Sequence, residues 1–280
     1  MKAELMLLQL ELQKLWLNRA SKVLIFISFV LPFFVLLLAS FKIDFFGLFT
    51  LELGELGVFN FPIIWHITTF FAAQFKFFFA IVVVSMIGNE YSNRTLKQNL
   101  IDGLSKNQFI RSKFYTIVFF SLISTILIFV LSLGIGLYYS SYDELSIIIQ
   151  GTEFVLAYFI KLVGFFSLCL FFGVLFKRSA FALGFLFVLF IGEWIVYGIM
   201  KYNFRNTDSS LPEIIQDMFP LKSMNKLIDQ PFQRILISKF PDQTDLAYDY
   251  SVHSLEIGTV LIWTCIFLFS SYFLLKKRDL

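Results

Sequence analysis

VLIFISFVLPFFVLLLASF, residues 23–41, decides the class of this fold. Nineteen residues without a charge at ~1.5 Å of helical rise per residue cross most of a ~30 Å hydrocarbon layer. Inside that layer the backbone must satisfy its own hydrogen bonds, and the run lacks the alternation of a barrel strand, so it reads as a helix. Five more apolar runs follow, at 63–87, 114–139, 154–176, 181–200 and 255–275. The first run exceeds the h-region of an ordinary signal peptide and has five companions, so it is expected to remain as an anchor. The expectation is an all-α polytopic membrane protein with six transmembrane helices, one domain over 1–280.

Composition agrees. Of 280 residues, 58% are hydrophobic and 15% charged, with a mean hydropathy of +0.78, far from the averages of soluble domains. Thirty-nine phenylalanines supply bulk for lipid-facing and packed positions, so their number alone does not indicate an aromatic binding cage. Cys169 and Cys265 both fall in apolar runs and offer neither a disulfide framework nor a paired-cysteine metal site.

Basic residues set the orientation. Lys2, Lys14, Arg19 and Lys22 precede the first span, and Arg94, Lys97, Lys106, Arg111 and Lys113 lie between the second and third. Lys177 and Arg178 separate the fourth and fifth, and Lys276, Lys277 and Arg278 follow the sixth. The two shorter loops on the other side hold one basic residue, Lys42. This asymmetry makes the cation-rich side, with both termini, cytoplasmic, and suits a bacterial inner membrane. It accounts for the basic clusters without nucleic acid, for which no stacked-aromatic, basic strand face can form.

Three segments do not span. In 1–22, Leu5, Leu8, Leu12, Leu15 and Trp16 recur at helical spacing, which predicts an amphipathic helix in the cytoplasmic interface, against membrane lipid. In 88–113, Leu96, Leu100, Ile101 and Leu104 form one face of a short helix, capped by Thr95 or Asn93 and ended by Gly103. In 201–254, four prolines (Pro212, Pro220, Pro231, Pro241) divide short amphipathic helices expected to lie on the outer surface.

Enzymatic signatures are missing. There is no G-x-x-x-x-G-K-[ST] loop to cradle nucleotide phosphates, no H-E-x-x-H pair and no G-x-S-x-G elbow. His66 and His253 fall near the outer ends of the second and sixth spans and read as interfacial polar residues. Three ionisable residues do fall within spans, Lys76, Lys161 and Glu193, each costing about 2.5 kcal/mol or more at mid-membrane unless paired or hydrated. Counting residues puts Lys161 and Glu193 at similar depth, which allows an ion pair, either structural or lining a substrate route. Lys76 has no partner evident in the sequence and is expected to face protein or water.

The stretch GNEYSNRTLKQNLIDGLSKNQFIRSK, residues 88–113, resembles the ABC-2 type permease family. Matching positions are Glu90, Arg94-Thr95-Leu96, Gly103-Leu104-Ser105, and Arg111 with Lys113; Lys106 stands where family members often carry arginine. The resemblance implies that Glu90 to Ser105, including Leu100, forms a coupling helix for a separate ABC ATPase subunit. ATP and magnesium would then sit on that partner, with no cofactor on this chain. It also implies pairing with a second copy or a homologous permease, and export of a substrate drawn from drugs, peptides, lantibiotics, polysaccharides or lipids. The competing readings are a loop helix resting on headgroups, and an accessory or scaffolding membrane subunit without its own pathway.

Overall fold

The computed structural model describes residues 2–41, 43–45, 49–51, 57–140, 142, 144–205, 210–232, 234 and 250–278. Lys42 and Pro241 lie outside them. Helix α1 (Lys2–Leu17) is separated from α2 (Arg19–Ser40) by Asn18, whose side-chain oxygen accepts hydrogen bonds from the N–H groups of Ala20 and Ser21 and so starts the second helix. Two three-residue strands, β1 (Ile43–Phe45) and β2 (Phe49–Leu51), pair antiparallel after it, a small exception to the all-helical expectation. Then come α3 (Ile63–Gln74), α4 (Lys76–Ser92), α5 (Thr95–Ile101), α6 (Lys106–Tyr139), α7 (Leu145–Ile149), α8 (Glu153–Phe176) and α9 (Ser179–Asn203). The short helices α10 (Leu211–Asp217) and α11 (Pro220–Lys226) precede α12 (Ser254–Lys277).

Five of these segments are long and apolar enough to cross a membrane: α2, α6, α7–α8, α9 and α12. The remaining expected span, 63–87, falls on the pair α3 and α4, which meet at 44° and have together the length and apolarity of one broken span or of a re-entrant loop. Neither proline nor glycine lies at the break. Instead the chain tightens to three-residue spacing around Phe75, whose N–H donates to the Ala72 carbonyl while its own carbonyl accepts from Phe78. Helix α6 extends well beyond 114–139: its 34 residues begin at Lys106, where Ser105 and Gln108 form a reciprocal capping box.

Helix α8 is the axis of the bundle. Seventeen of its 24 residues are buried, as expected of a helix apolar on every side, and α3, α4, α6, α9, α11 and α12 all pack on it. Two glycines set close approaches. A Cβ on Gly164 would meet Val260 of α12 at 2.8 Å, and one on Gly173 would meet Ile87 of α4 at 2.9 Å. Small residues at helix contacts take the role in lipid that hydrophobic exclusion takes in water. Helix α9, by contrast, buries only Ala182 and Leu186 and stands at the perimeter.

The proline-divided segment departs from its expected place on the outer surface. Pro212 and Pro220 do occupy first-turn positions of α10 and α11, where a missing N–H costs nothing. But Leu221, Met224, Leu227 and Ile228 are all buried, so α11 dips into the end of the bundle against α8, α9 and α12.

Candidate functional sites at the two ends of the bundle

At the basic end, α1 is tied to the bundle through charge. Lys113, on the first turns of α6, is fully buried and donates to both Glu11 and Glu90. Lys14 reaches the same two carboxylates at 3.1 Å each, from a half-exposed position. Three elements therefore meet in one four-residue ionic junction: α1 supplies Glu11 and Lys14, α4 supplies Glu90, and α6 supplies Lys113. A turn further out, Glu4 accepts from Arg111 and from the Tyr115 hydroxyl at 3.0 Å, a second and more exposed tie between α1 and α6. Glu90 Oε2 is buried without a hydrogen-bond partner, beside a cleft of about 310 Å³ lined by Glu11, Lys14, Asn18, Asn89 and Asn93 among others.

Burial pushes the Glu11 carboxyl up, but Lys113 and Lys14 more than reverse it, and the group lies below its usual range. Burial likewise pulls the Lys14 ammonium down, and Glu11 and Glu90 more than offset that, leaving it above its usual value. Both shifts favour the charged, paired state.

Helix α5 extends from this junction. Arg94 precedes it in the left-handed region (φ 57°), with no side-chain cap from either Thr95 or Asn93; Thr95 bonds back to the Glu90 carbonyl at 3.5 Å. Gly103, at φ 102°, follows its end, and the N–H groups of Gly103 and Leu104 return to the carbonyls of Leu100 and Asn99. The four apolar residues do not share one face. Leu96 is 1% exposed and sits in the core, Leu100 and Leu104 are half-buried, and Ile101 is 75% exposed. The outward surface consists of Arg94, Lys97, Gln98, Ile101 and Asp102, with Ser105 exposed behind it. Glu90 faces inward, into the junction.

The C-terminal residues close this end. Lys106 donates to the carbonyls of Lys276 and Arg278, and the Arg278 guanidinium donates to the carbonyls of Val174 and Leu175 at the end of α8. These basic residues thus satisfy helix-terminal carbonyls.

Toward the opposite end, the expected pairing of Lys161 with Glu193 does not form. Glu193 turns toward α11 and accepts the N–H groups of Leu221 at 2.8 Å and Lys222 at 3.0 Å, where the helix start leaves donors free. Lys161, 2% exposed, donates to the backbone carbonyl of Asn225 at 3.4 Å. Lys76, the first residue after the break in α3–α4, donates to the side-chain oxygen of the same Asn225 at 3.3 Å. The ion-pair expectation failed because α11 enters the bundle and supplies backbone partners to both residues. His66 is buried rather than interfacial: it stacks on Phe154 at 4.2 Å, with Nε2 2.8 Å from the Asp229 carbonyl.

Sequence reasoning did not find the junction. Glu11 and Lys14 are three apart on α1, and the usable signal is an acidic residue on the apolar side of an amphipathic helix. The S-x-x-Q box at Ser105 was also legible and passed over.

Apolar helices long enough to span, enclosing buried ionic groups and joined to an exposed polar helix at the basic end, fit a multi-pass membrane protein. The chain belongs to the ABC-2 family: the model described as ABC-2 family transporter protein matches residues 7–193. That region takes in α1 through the first half of α9, including both sides of the ionic junction. A search of the curated proteins finds no match. The chain is thus a membrane permease component of an ABC transporter.

Proposed function

We propose that this permease is the membrane-spanning subunit of an exporter in a bacterial inner membrane, with its basic end and both termini cytoplasmic. A separate ATPase chain binds ATP and magnesium and docks on the 88–113 stretch, and a second copy or a homologous permease completes the pathway. The observation that carries this reading is the form of α5. Seven residues cannot span, yet their polar face (Arg94, Lys97, Gln98, Asp102) is turned to solvent around one exposed apolar residue, Ile101, while Leu96 anchors the helix from behind. A hydrophobic anchor with a polar rim is the composition of a protein-docking surface.

The alternative, an accessory subunit with no pathway of its own, requires no ATPase on α5. Changing Lys97 to Glu and Ile101 to Asp alters only exposed positions, so the chain should insert and purify normally. The expected result is loss of the co-purifying ATPase and of ATP-dependent export. An ATPase retained at full stoichiometry would favour the accessory reading.

A further inference from the structure

The pair Lys76 and Lys161 has no role in packing that an apolar residue would not perform better. Lys161 is enclosed almost completely, and Lys76 is half-buried with its ammonium 4.7 Å from the centre of the Phe165 ring. Among the described residues neither lysine has a carboxylate within ion-pairing distance, and Asp229 bears on Lys161 from further off. Their hydrogen-bonding partner is a single neutral residue, Asn225, whose two oxygens each hold one ammonium at 3.3 and 3.4 Å. Those distances are beyond the usual 2.7–3.2 Å for N–H···O bonds.

Lys76 follows the 44° break, about halfway along the span that α3 and α4 make together. Gln74 beside it and Asn225 opposite are both exposed. Exposed amide and ammonium groups at that depth are too costly to face lipid, so this side of the bundle faces water or another protein.

We propose that Lys76 and Lys161 form the recognition site for the anionic head group, carboxylate or phosphate, of an amphipathic substrate, and that Asn225 occupies this site when substrate is absent. The Asn225 side-chain oxygen stands where an oxygen of a carboxylate or phosphate would meet Lys76, and the Asn225 carbonyl holds Lys161 beside it. An anion adds a Coulombic attraction to each ammonium that a neutral amide or carbonyl oxygen lacks, which favours the anion. The Phe77 ring beside Lys76, 57% exposed, offers the adjoining apolar contact. The Asn225 side chain can yield because it is exposed, while its backbone stays fixed by the Ile228 N–H and by buried Met224, Leu227 and Ile228 on either side.

The inference rests on the permease reading and names its substrate class. Its test uses the full chain alone, so loss of anion binding and loss of ATPase docking are separately visible. Purified protein in an uncharged maltoside is titrated with dodecyl phosphate, dodecylphosphocholine or inorganic phosphate, and the melting temperature is followed. Dodecyl phosphate should give a saturable rise, with the other two at least tenfold weaker. Lys76→Gln and Lys161→Gln should each raise the half-saturating concentration at least tenfold, while Lys76→Arg should retain binding. Asn225→Ala should tighten binding twofold or more, an effect that a purely structural asparagine would not give. Should Lys161→Gln fail to fold, the half-buried Lys76 and the exposed Asn225 decide the matter. Equal binding of dodecylphosphocholine, equal binding of inorganic phosphate, or indifference to the Lys76 and Asn225 substitutions would overturn the proposal.

Discussion

Replacing Lys113 with Met removes the cation that is fully buried between Glu11 and Glu90, and leaves two carboxylates facing each other in a poorly hydrated junction. Deleting one partner of a buried ion pair costs about 3–5 kcal/mol, most of it the penalty for the stranded charge. Lys14 still reaches both carboxylates at 3.1 Å and is 44% exposed, so it compensates in part, and the lower end, about 3 kcal/mol, is expected. A triple variant, Lys113→Met with Glu11→Gln and Glu90→Gln, removes the stranded charges and should recover most of the loss. Glu4→Gln serves as the surface control: its pair with Arg111 is exposed on both sides, and its loss should cost less than about 1 kcal/mol. Thermal unfolding of the purified chain ranks the three, and trypsin cleavage after Arg19 or Lys22 reports release of α1. A Lys113→Met protein as stable as its parent, or a triple variant no better than the single one, would show that the junction does not hold α1 as described.

The same junction predicts a pH window. The lowered Glu11 group contributes stability that is present above its ordinary value of 4.5 and lost as pH falls through its folded-state value, and the raised Lys14 group contributes stability present below 10.5 and lost as pH rises through its own. Protection of α1 from trypsin should therefore be flat near neutrality and fall in acid and in strong alkali; a steady decline between pH 6 and 8 would contradict it. At the other end, Glu193→Ala strands the N–H groups of Leu221 and Lys222 and should cost about 2 kcal/mol, with faster hydrogen exchange at those two amides. Because Glu193 and Lys161 do not meet, Glu193→Gln combined with Lys161→Met should give additive changes in stability, and a coupling above about 0.5 kcal/mol would mean that they do.

Five long apolar helices, and a sixth if α3 and α4 make one span, were legible in the sequence because the bilayer imposes one length and one backbone geometry. The break at Phe75 was not, since it lies in Ala72-Ala73-Gln74-Phe75-Lys76, where no residue is a helix breaker and the one anomaly is an ammonium inside a span. Lys76 reads as costly there, but its partner Asn225 is 149 residues away in a segment with no sequence signal of entering the bundle. The Lys161–Glu193 expectation failed for the same reason: depth along a helix can be counted, while the direction each side chain takes depends on what packs against it. Leu96 and Ile101 illustrate this on α5. Both are apolar and five apart, and only the way α5 lies against α4 decides that the first is core and the second is surface.

Helix α4 connects the two candidate sites. It starts at Lys76, beside Asn225, and carries Glu90 two residues from its end, so about 21 Å of regular helix separates the lysine from the ionic junction. Only Asn93 and Arg94 separate it from α5, too few residues to absorb a displacement of the exposed helix. Its other end meets the break at Phe75, where the backbone ladder is already interrupted and rotation costs least. Under the docking proposed above, a load on α5 would pass to Glu90, whose partners on α1 and α6 resist it, and along α4 to Lys76, whose long bond to Asn225 resists it weakly. The stiff contact lies at the proposed docking end and the weak one at the proposed recognition site, which is the arrangement that movement at the first would need in order to change access to the second.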